Sequence, residues 1–470
     1  MRFYSTASIS FLVSLWVASP VHAANPKHVE QLLTTKACPG CDLRQTDLQG
    51  KDLSGANLQQ ARLEGSNLRG ANLSRASLQK ARLEESDLNE ANLSLTDLYQ
   101  ANLRASSLVA ANLTQASLKE ANLSAIREYE KSKDKDGERE LIREVRVDLS
   151  RANFRGADLS DANLDGAILE NANLSHGNLS RVNLNQARLD NANLFSATLN
   201  FAVLSSASLT NANLQKAVLM ATNLSGANFI GARMRHANLV GANLTSAILQ
   251  SVYLETANLD SAVLDNANLK QAYLGAANFR GASLRGADLR QAILAAANLT
   301  RVNLNGANLR GINLKDVSLN RAKLIGTDLK GANLTGVKLG LGNLTGADLT
   351  GARLTNAYLH TANLSRAQLG GANLFEANLR SANLQSASLV GANLSGAKLI
   401  EANLQQANLL GTNLSQADLS IANLQRAYLG NANLSGANLF GANVKGAFLT
   451  DADLTGANLK RIIGLERYGF

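Results

Sequence analysis

Residues 277–296 read ANFRGASLRGADLRQAILAA, and within them a large apolar side chain (Phe279, Leu284, Leu289, Leu294) returns at every fifth position. The spacing extends both ways, through 17 positions from Leu43 to Leu123 and 63 more from Leu149 to Leu459. Of these 80 positions, 75 are leucine, and the others are Phe154, Phe229, Met234, Phe279 and Val444. A period of five fits neither regular element. On an α-helix, residues five apart are rotated by roughly 140°, so the leucines would wander around the surface. On a flat strand five is odd, so they would alternate between faces. The chain must therefore turn a corner in every repeat to keep each leucine facing one interior. Units of this kind bury their apolar side by stacking into a solenoid.

The neighbours of each leucine, position i, fit such a corner. Position i−2 is mostly Ala, which suits a second inward site too narrow for a large side chain. Position i−1 is mostly Asn or Asp, whose short polar side chains bond nearby backbone and favour turns. Position i+2 is often Gly, as at Gly281, Gly286 and Gly311, which tolerates the positive φ of some tight turns. Position i+1 varies most, as a solvent-facing site would. All three prolines, Pro20, Pro26 and Pro39, precede the first repeat. Proline cannot donate to a strand ladder, so its absence from the rest predicts coils paired on both sides.

The A(N/D)Lxx run resembles the pentapeptide-repeat family over roughly nine-tenths of the chain. The resemblance implies an all-β fold, a right-handed quadrilateral parallel β-helix with four repeats to a coil. Eighty repeats then make about 20 coils, a rod on the order of 95 Å long at a strand spacing of ~4.8 Å. The family's gyrase-protecting members are cytoplasmic rods with an acidic, DNA-like surface. This chain carries a net charge of +9, read as spread along the rod, so a DNA-mimic role is the least favoured reading.

Residues 1–23 read as a cleaved signal peptide: Arg2, an apolar stretch from Ile9 to Ala18, and small residues at Val21-His22-Ala23. The expectation is export to the periplasm, or to the thylakoid lumen of a photosynthetic host, with no integral membrane segment after cleavage. Residues 24–41 are expected to hold a short capping helix, with Asn25 as cap, Pro26 in the first turn and Val29, Leu32 and Leu33 on one face. Cys38 and Cys41 are the only cysteines. Without a strand–helix context around them they read as a structural disulfide rather than a thioredoxin-like pair. The repeat blocks are then 42–125 and 148–460. Between them, 126–147 holds seven Lys/Arg and seven Asp/Glu and reads as a charged, looped-out insertion. Its Asp134-Lys135-Asp136-Gly137 invites a calcium loop, but Ser132 and Arg143 stand where Asp and Glu belong. Residues 461–470 are expected to break the repeat and plug the last coil through Ile462, Ile463, Leu465, Tyr468 and Phe470.

No residue pattern supports catalysis, a cofactor or a metal site. His176 and His236, 60 residues apart, share a column three coils (~14 Å) distant, and His360 stands alone. The exposed columns are the place to look. Lys270, Arg290, Arg310 and Lys330 form a basic column, with Asp288 and Asp328 beside it, and Tyr253, Tyr273 and Ile293 form an aromatic and apolar column on the next face. Basic beside aromatic is a pattern of binding surfaces. The expected function is a non-enzymatic scaffold or protein-interaction rod. The alternative is a binding module for an anionic polymer or membrane surface, using the basic column. No nucleic-acid partner is expected. An end-to-end homodimer is a further reading.

Overall fold

The computed structural model describes residues 24–129 and 141–465. The expected signal sequence, the Asp134–Gly137 stretch, Tyr468 and Phe470 lie outside the described residues. Within them each i−1 residue pairs in parallel with the residue 20 further on, as Asp42 with Arg62 and Asn268 with Asp288. A coil of the resulting β-helix is therefore four repeats. Nearly every leucine N–H donates to the coil that follows, as Leu289 to the Asn308 carbonyl at 2.9 Å. Each i−1 N–H donates to the coil before, as Asp288 to Ala267 at 3.0 Å. The coil has a first side (Leu284, Leu304), a second (Leu289, Leu309), a third (Leu294, Leu314) and a fourth (Leu299, Leu319).

Physical chemistry fixes all five positions. The leucines are buried to within a few per cent of completely from Leu43 to Leu439, and the i−2 alanines fill the remaining interior. Burying each leucine contributes about 2 kcal/mol relative to exposing it. Where Thr replaces Ala its hydroxyl is also buried and, except at Thr46, donates to a backbone carbonyl, as Thr222 to Leu199 at 2.8 Å and Thr327 to Leu304 at 2.9 Å. Asn at i−1 has two jobs. Its Oδ1 accepts the i+1 amide, and its Nδ2 donates to the Asn one coil earlier, as Asn213 to Asn193 at 3.0 Å. At i+2 the backbone is left-handed throughout, from Gln45 to Glu120 and from Arg151 to Arg461, whether or not glycine is present. The corner geometry, not the glycine, is the constant. Even the β-branched Ile421 accepts φ of 58° there, a conformation such residues seldom adopt.

The regular ladder loosens most at one internal place, apart from the single Ala105 amide beside the hairpin. Among the described residues, the amides of Gln291, Leu294, Ala296, Asn313 and Ser318 lack the bonds that the pattern calls for, although Ile293 still pairs with Asn313. Ile312 and Val317 occupy inward i−2 sites above Ala292 and Ala297, where Ala is the rule; Val252 and Val302 sit in such sites with the ladder intact, so the larger Ile312 is what sets this place apart. Ile293 also stands where Asn would tie one coil to the next.

The first end differs slightly from the sequence-based boundaries. A helix, α1 (Pro26–Thr35), is capped by Asn25, and its Leu32 is buried in the same cluster as the leucines. Ala37 already pairs with Asn57, and Cys38 takes a leucine place. The coil thus begins before residue 42. Cys38 and Cys41 form a disulfide, Cα–Cα 5.4 Å, joining an i site to the next i−2 site. At the other end, Ile463 pairs with Asn443 and Ile462 is partly buried in the i−2 place. These residues continue the repeat rather than break it. Leu449, Leu454 and Leu459 in the last coil are only partly buried among the described residues.

The insertion is a β-hairpin, not an open loop. Across it the pairing offset grows from 20 to 41, as Ser107 with Asp148, so 21 residues stand outside the coil. Strands β1 (Ile126–Tyr129) and β2 (Leu141–Val145) pair antiparallel at the corner between the first and second sides. Val147, assigned to the insertion from sequence, is fully buried and belongs to the coil. Arg127 clamps the hairpin base: its guanidinium donates to Glu144 at 2.7 Å, to Asp165 at 2.5 Å and to Gln186 at 3.1 Å. A Cβ on Gly166 would lie 2.8 Å from Arg127 Nη2, so the absence of a side chain at Gly166 makes room for the clamp. Burial alone would raise the Glu144 carboxyl, but hydrogen bonds from Arg127 and Arg146 outweigh it and hold the group below the ordinary glutamate value.

Candidate binding surface

The outward columns stack as their spacing of 20 requires. Lys270, Arg290, Arg310 and Lys330 stand in one line on the second side, and Tyr253, Tyr273 and Ile293 in one line on the third. The charges of the basic column are largely answered from within the fold. Asp288 takes both Arg290 at 2.8 Å and Lys270 at 3.4 Å, and the hydrogen bond from Arg290 holds its carboxyl below the usual aspartate value. Lys330 pairs with Asp348 at 3.0 Å, one coil beyond Asp328, which instead accepts the Lys330 amide. Only Arg310 has no carboxylate partner among the described residues. The expectation that Asp328 would offset the column is corrected to Asp348.

The tyrosines are also less available than their sequence suggests. The Tyr253 and Tyr273 rings stack on one another, centroids 4.6 Å apart and within 2° of parallel. Arg235 lies over Tyr253, 5.8 Å from its centroid, and its own charge goes to Glu255 at 2.6 Å. Ring faces are thus used up along the rod axis, and only edges point outward. Tyr428 and Phe448 stack likewise on the second side, centroids 5.0 Å apart. These stacks take over the coil-to-coil role that the Asn ladder plays elsewhere.

The charge is not spread along the rod. Thirteen of the 46 Lys and Arg but only four of the 37 Asp and Glu lie between residues 266 and 375, a difference of nine that equals the net charge of the whole chain. Of the four acids, Asp288, Asp328 and Asp348 lie on the second side and Asp316 at the corner between the third and fourth. Between residues 266 and 375 the first and fourth sides therefore carry no acid of their own.

Among the described residues no cluster of His, Cys, Asp and Glu could hold a metal ion, and no helix is long and apolar enough to cross a membrane. His176 packs edge-on against Phe195, with ring centroids 5.6 Å apart, and His236 Nδ1 meets the Thr256 hydroxyl at 2.6 Å. Both are occupied by neighbours in the coil.

The family described as Pentapeptide repeats matches the chain in twelve stretches between residues 40 and 461, interrupted at 126–147, 295–296 and 337–342. The first break is the hairpin, and the second lies at the loosened seam. Comparison with curated proteins gave no significant match. Among solved structures, the chain is similar to HetL of the cyanobacterium Nostoc, a pentapeptide repeat protein involved in regulating heterocyst differentiation. Identity is 32%, covering 56% of this chain and 89% of HetL, with a TM-score of 0.21. A pentapeptide repeat protein of the Arabidopsis thaliana thylakoid lumen is 28% identical over 22% of this chain and 66% of its own, TM-score 0.11. QnrB1, a plasmid-mediated fluoroquinolone resistance protein, is 15% identical over 59% of this chain and 98% of its own, TM-score 0.17.

Proposed function

The chain belongs to the pentapeptide-repeat family, and from that premise we propose that it acts as a non-enzymatic rod that presents its outward columns to a protein partner. The observation that supports this most is how the polar groups are used. Asn and Asp satisfy the corners, acids answer the second-side cations, and aromatic rings stack on each other, which leaves a rigid surface rather than a reactive cleft. The Cys38–Cys41 pair serves as a staple of the first coil, its sulfurs at buried positions. A signal sequence at residues 1–23 would place the rod in the periplasm, or in the lumen of a thylakoid. The partly buried leucines of the last coil support a second, smaller reading, end-to-end pairing of two copies.

Site-specific photo-crosslinking in the native host tests the rod reading. A crosslinker placed at Arg310, at Tyr358 or at Tyr428 samples three outward columns. At least one is expected to give a discrete protein adduct. Adducts from none of them, with the chain intact and in the envelope, would remove the reading.

A further inference from the structure

Beyond a protein partner, we infer that the edge between the fourth and first sides is a docking surface for an anionic lipid bilayer. The inference rests on the rod reading and adds a partner chemistry and the edge that meets it. Arg301 and Arg321 occupy successive corner positions of this edge, with φ of 61° and 60°, so their side chains leave a convex ridge. Arg280 and Lys338 flank them on the fourth side and Lys323 on the first. All five are exposed, and among the described residues none forms an ion pair. From Asp265 to Glu401 neither the corner nor its two sides carries a carboxylate. On the second side, by contrast, Lys270, Arg290 and Lys330 are all paired. Like charges on successive coils stand about 5 Å apart and repel, and nothing in the fold offsets that repulsion here.

Apolar side chains on the same edge decide between partner classes. Leu341 follows Arg321 in the corner column and is 55% exposed, Tyr358 on the fourth side is 51% exposed, and Ile325 on the first is 42% exposed. Leu341 sits between two glycines, and the His360 ring lies over buried Gly340, where a Cβ would come within 2.5 Å of it, so the leucine stands beside that exposed ring. A sulfated or carboxylated polymer gains nothing from a protruding Leu and Ile. A bilayer gains from both: cations meet lipid phosphates while apolar tips enter the interfacial zone. A straight ridge also matches a flat surface better than a flexible strand.

Co-sedimentation tests this with the chain beginning at Ala24 and vesicles of equal parts phosphatidylglycerol and phosphatidylcholine. Binding is expected at low salt, falling as salt rises, with none to pure phosphatidylcholine vesicles. Changing Arg301, Arg321 and Lys323 to Gln should weaken binding on the order of a hundredfold, since each cation near a charged membrane contributes about a factor of five. Leu341→Ser should weaken it severalfold, while Lys270→Gln with Lys330→Gln leaves it nearly unchanged. All these sites face outward, and circular dichroism checks that the coils survive. Equal binding by the triple variant overturns the inference. Retention on dextran sulfate without vesicle binding overturns it in favour of a polymer. If neither binds, the inference falls while the rod reading is still judged by its own crosslinks.

Discussion

Leu289→Asp is expected to unfold the middle of the rod. Leu289 is fully buried, with Leu269 and Leu309 stacked directly before and after it in the same interior column. The substitution removes about 2 to 5 kcal/mol of packing and places a carboxylate where no donor stands. A loss of more than about 5 kcal/mol follows, enough to exceed the whole stability of many domains. Because each coil contacts only its neighbours, the damage should spread to adjacent coils before the ends. The proper outward control is Arg310→Asp. Arg290 would be a poor one, because its guanidinium is held by Asp288 and an added carboxylate there would face another. Thermal unfolding followed by circular dichroism, with hydrogen exchange to locate the damage, reads both variants. Arg310→Asp should shift the midpoint by little, and equal losses in the two variants would reverse the inward and outward assignment.

Arg127→Met should free the hairpin while leaving the coils paired. The Arg127 side chain is 20% exposed and its partners Glu144 and Asp165 are 18% and 19% exposed, so this is a mostly buried ion cluster. Removing one partner of such a cluster costs about 3 kcal/mol, because the remaining carboxylates lose their counter-charge. Arg146, 2.8 Å from Glu144, and Asn185, 2.9 Å from Asp165, soften the loss. Amide exchange across β1 and β2 should rise steeply while Leu149 stays protected. The clamp also has a pH sign. Glu144 has a lowered folded value, so its contribution is present above the ordinary glutamate pKa and is lost as pH falls through the lowered one. The wild-type hairpin should therefore loosen in acid, and Glu144→Gln should remove that acid response. Unchanged exchange in Arg127→Met would mean the hairpin is held by its strands alone.

Much of this was legible because a leucine every fifth residue requires a corner in every repeat, and the family resemblance makes the corners four to a coil. The leucine positions, the small i−2 site, the outward stacking of Tyr253 with Tyr273 and the paired cysteines all follow from spacing. What spacing does not carry is which polar group meets which. The insertion's seven cations and seven acids look like a solvated loop until Arg127 and Glu144 are seen to face a gap left by Gly166. Lys330 turns to Asp348 rather than Asp328 because the reach between coils is as short as the reach within one. The basic second-side column drew notice as an unbroken line of like charge, yet unbroken lines are where the fold supplies acids. The corner edge was in the sequence too, but its cations sit at different repeat positions and no single column reveals them. The loosened seam coincides with Ile312, conservative in character but three carbons larger than the alanine of that site.

Small-angle X-ray scattering of the chain from Ala24 tests the central claim most directly: five-residue repeats wind four to a coil into one continuous rod. Pairing from Ala37 to Ile463 with 20 residues per coil predicts a maximum dimension on the order of 100 Å and a radius of gyration near 30 Å. A compact chain of this size would instead have a radius of gyration of about 23 Å. An elongated profile of that length supports the account, and a compact profile, or two bodies hinged at the hairpin or the seam, would contradict it.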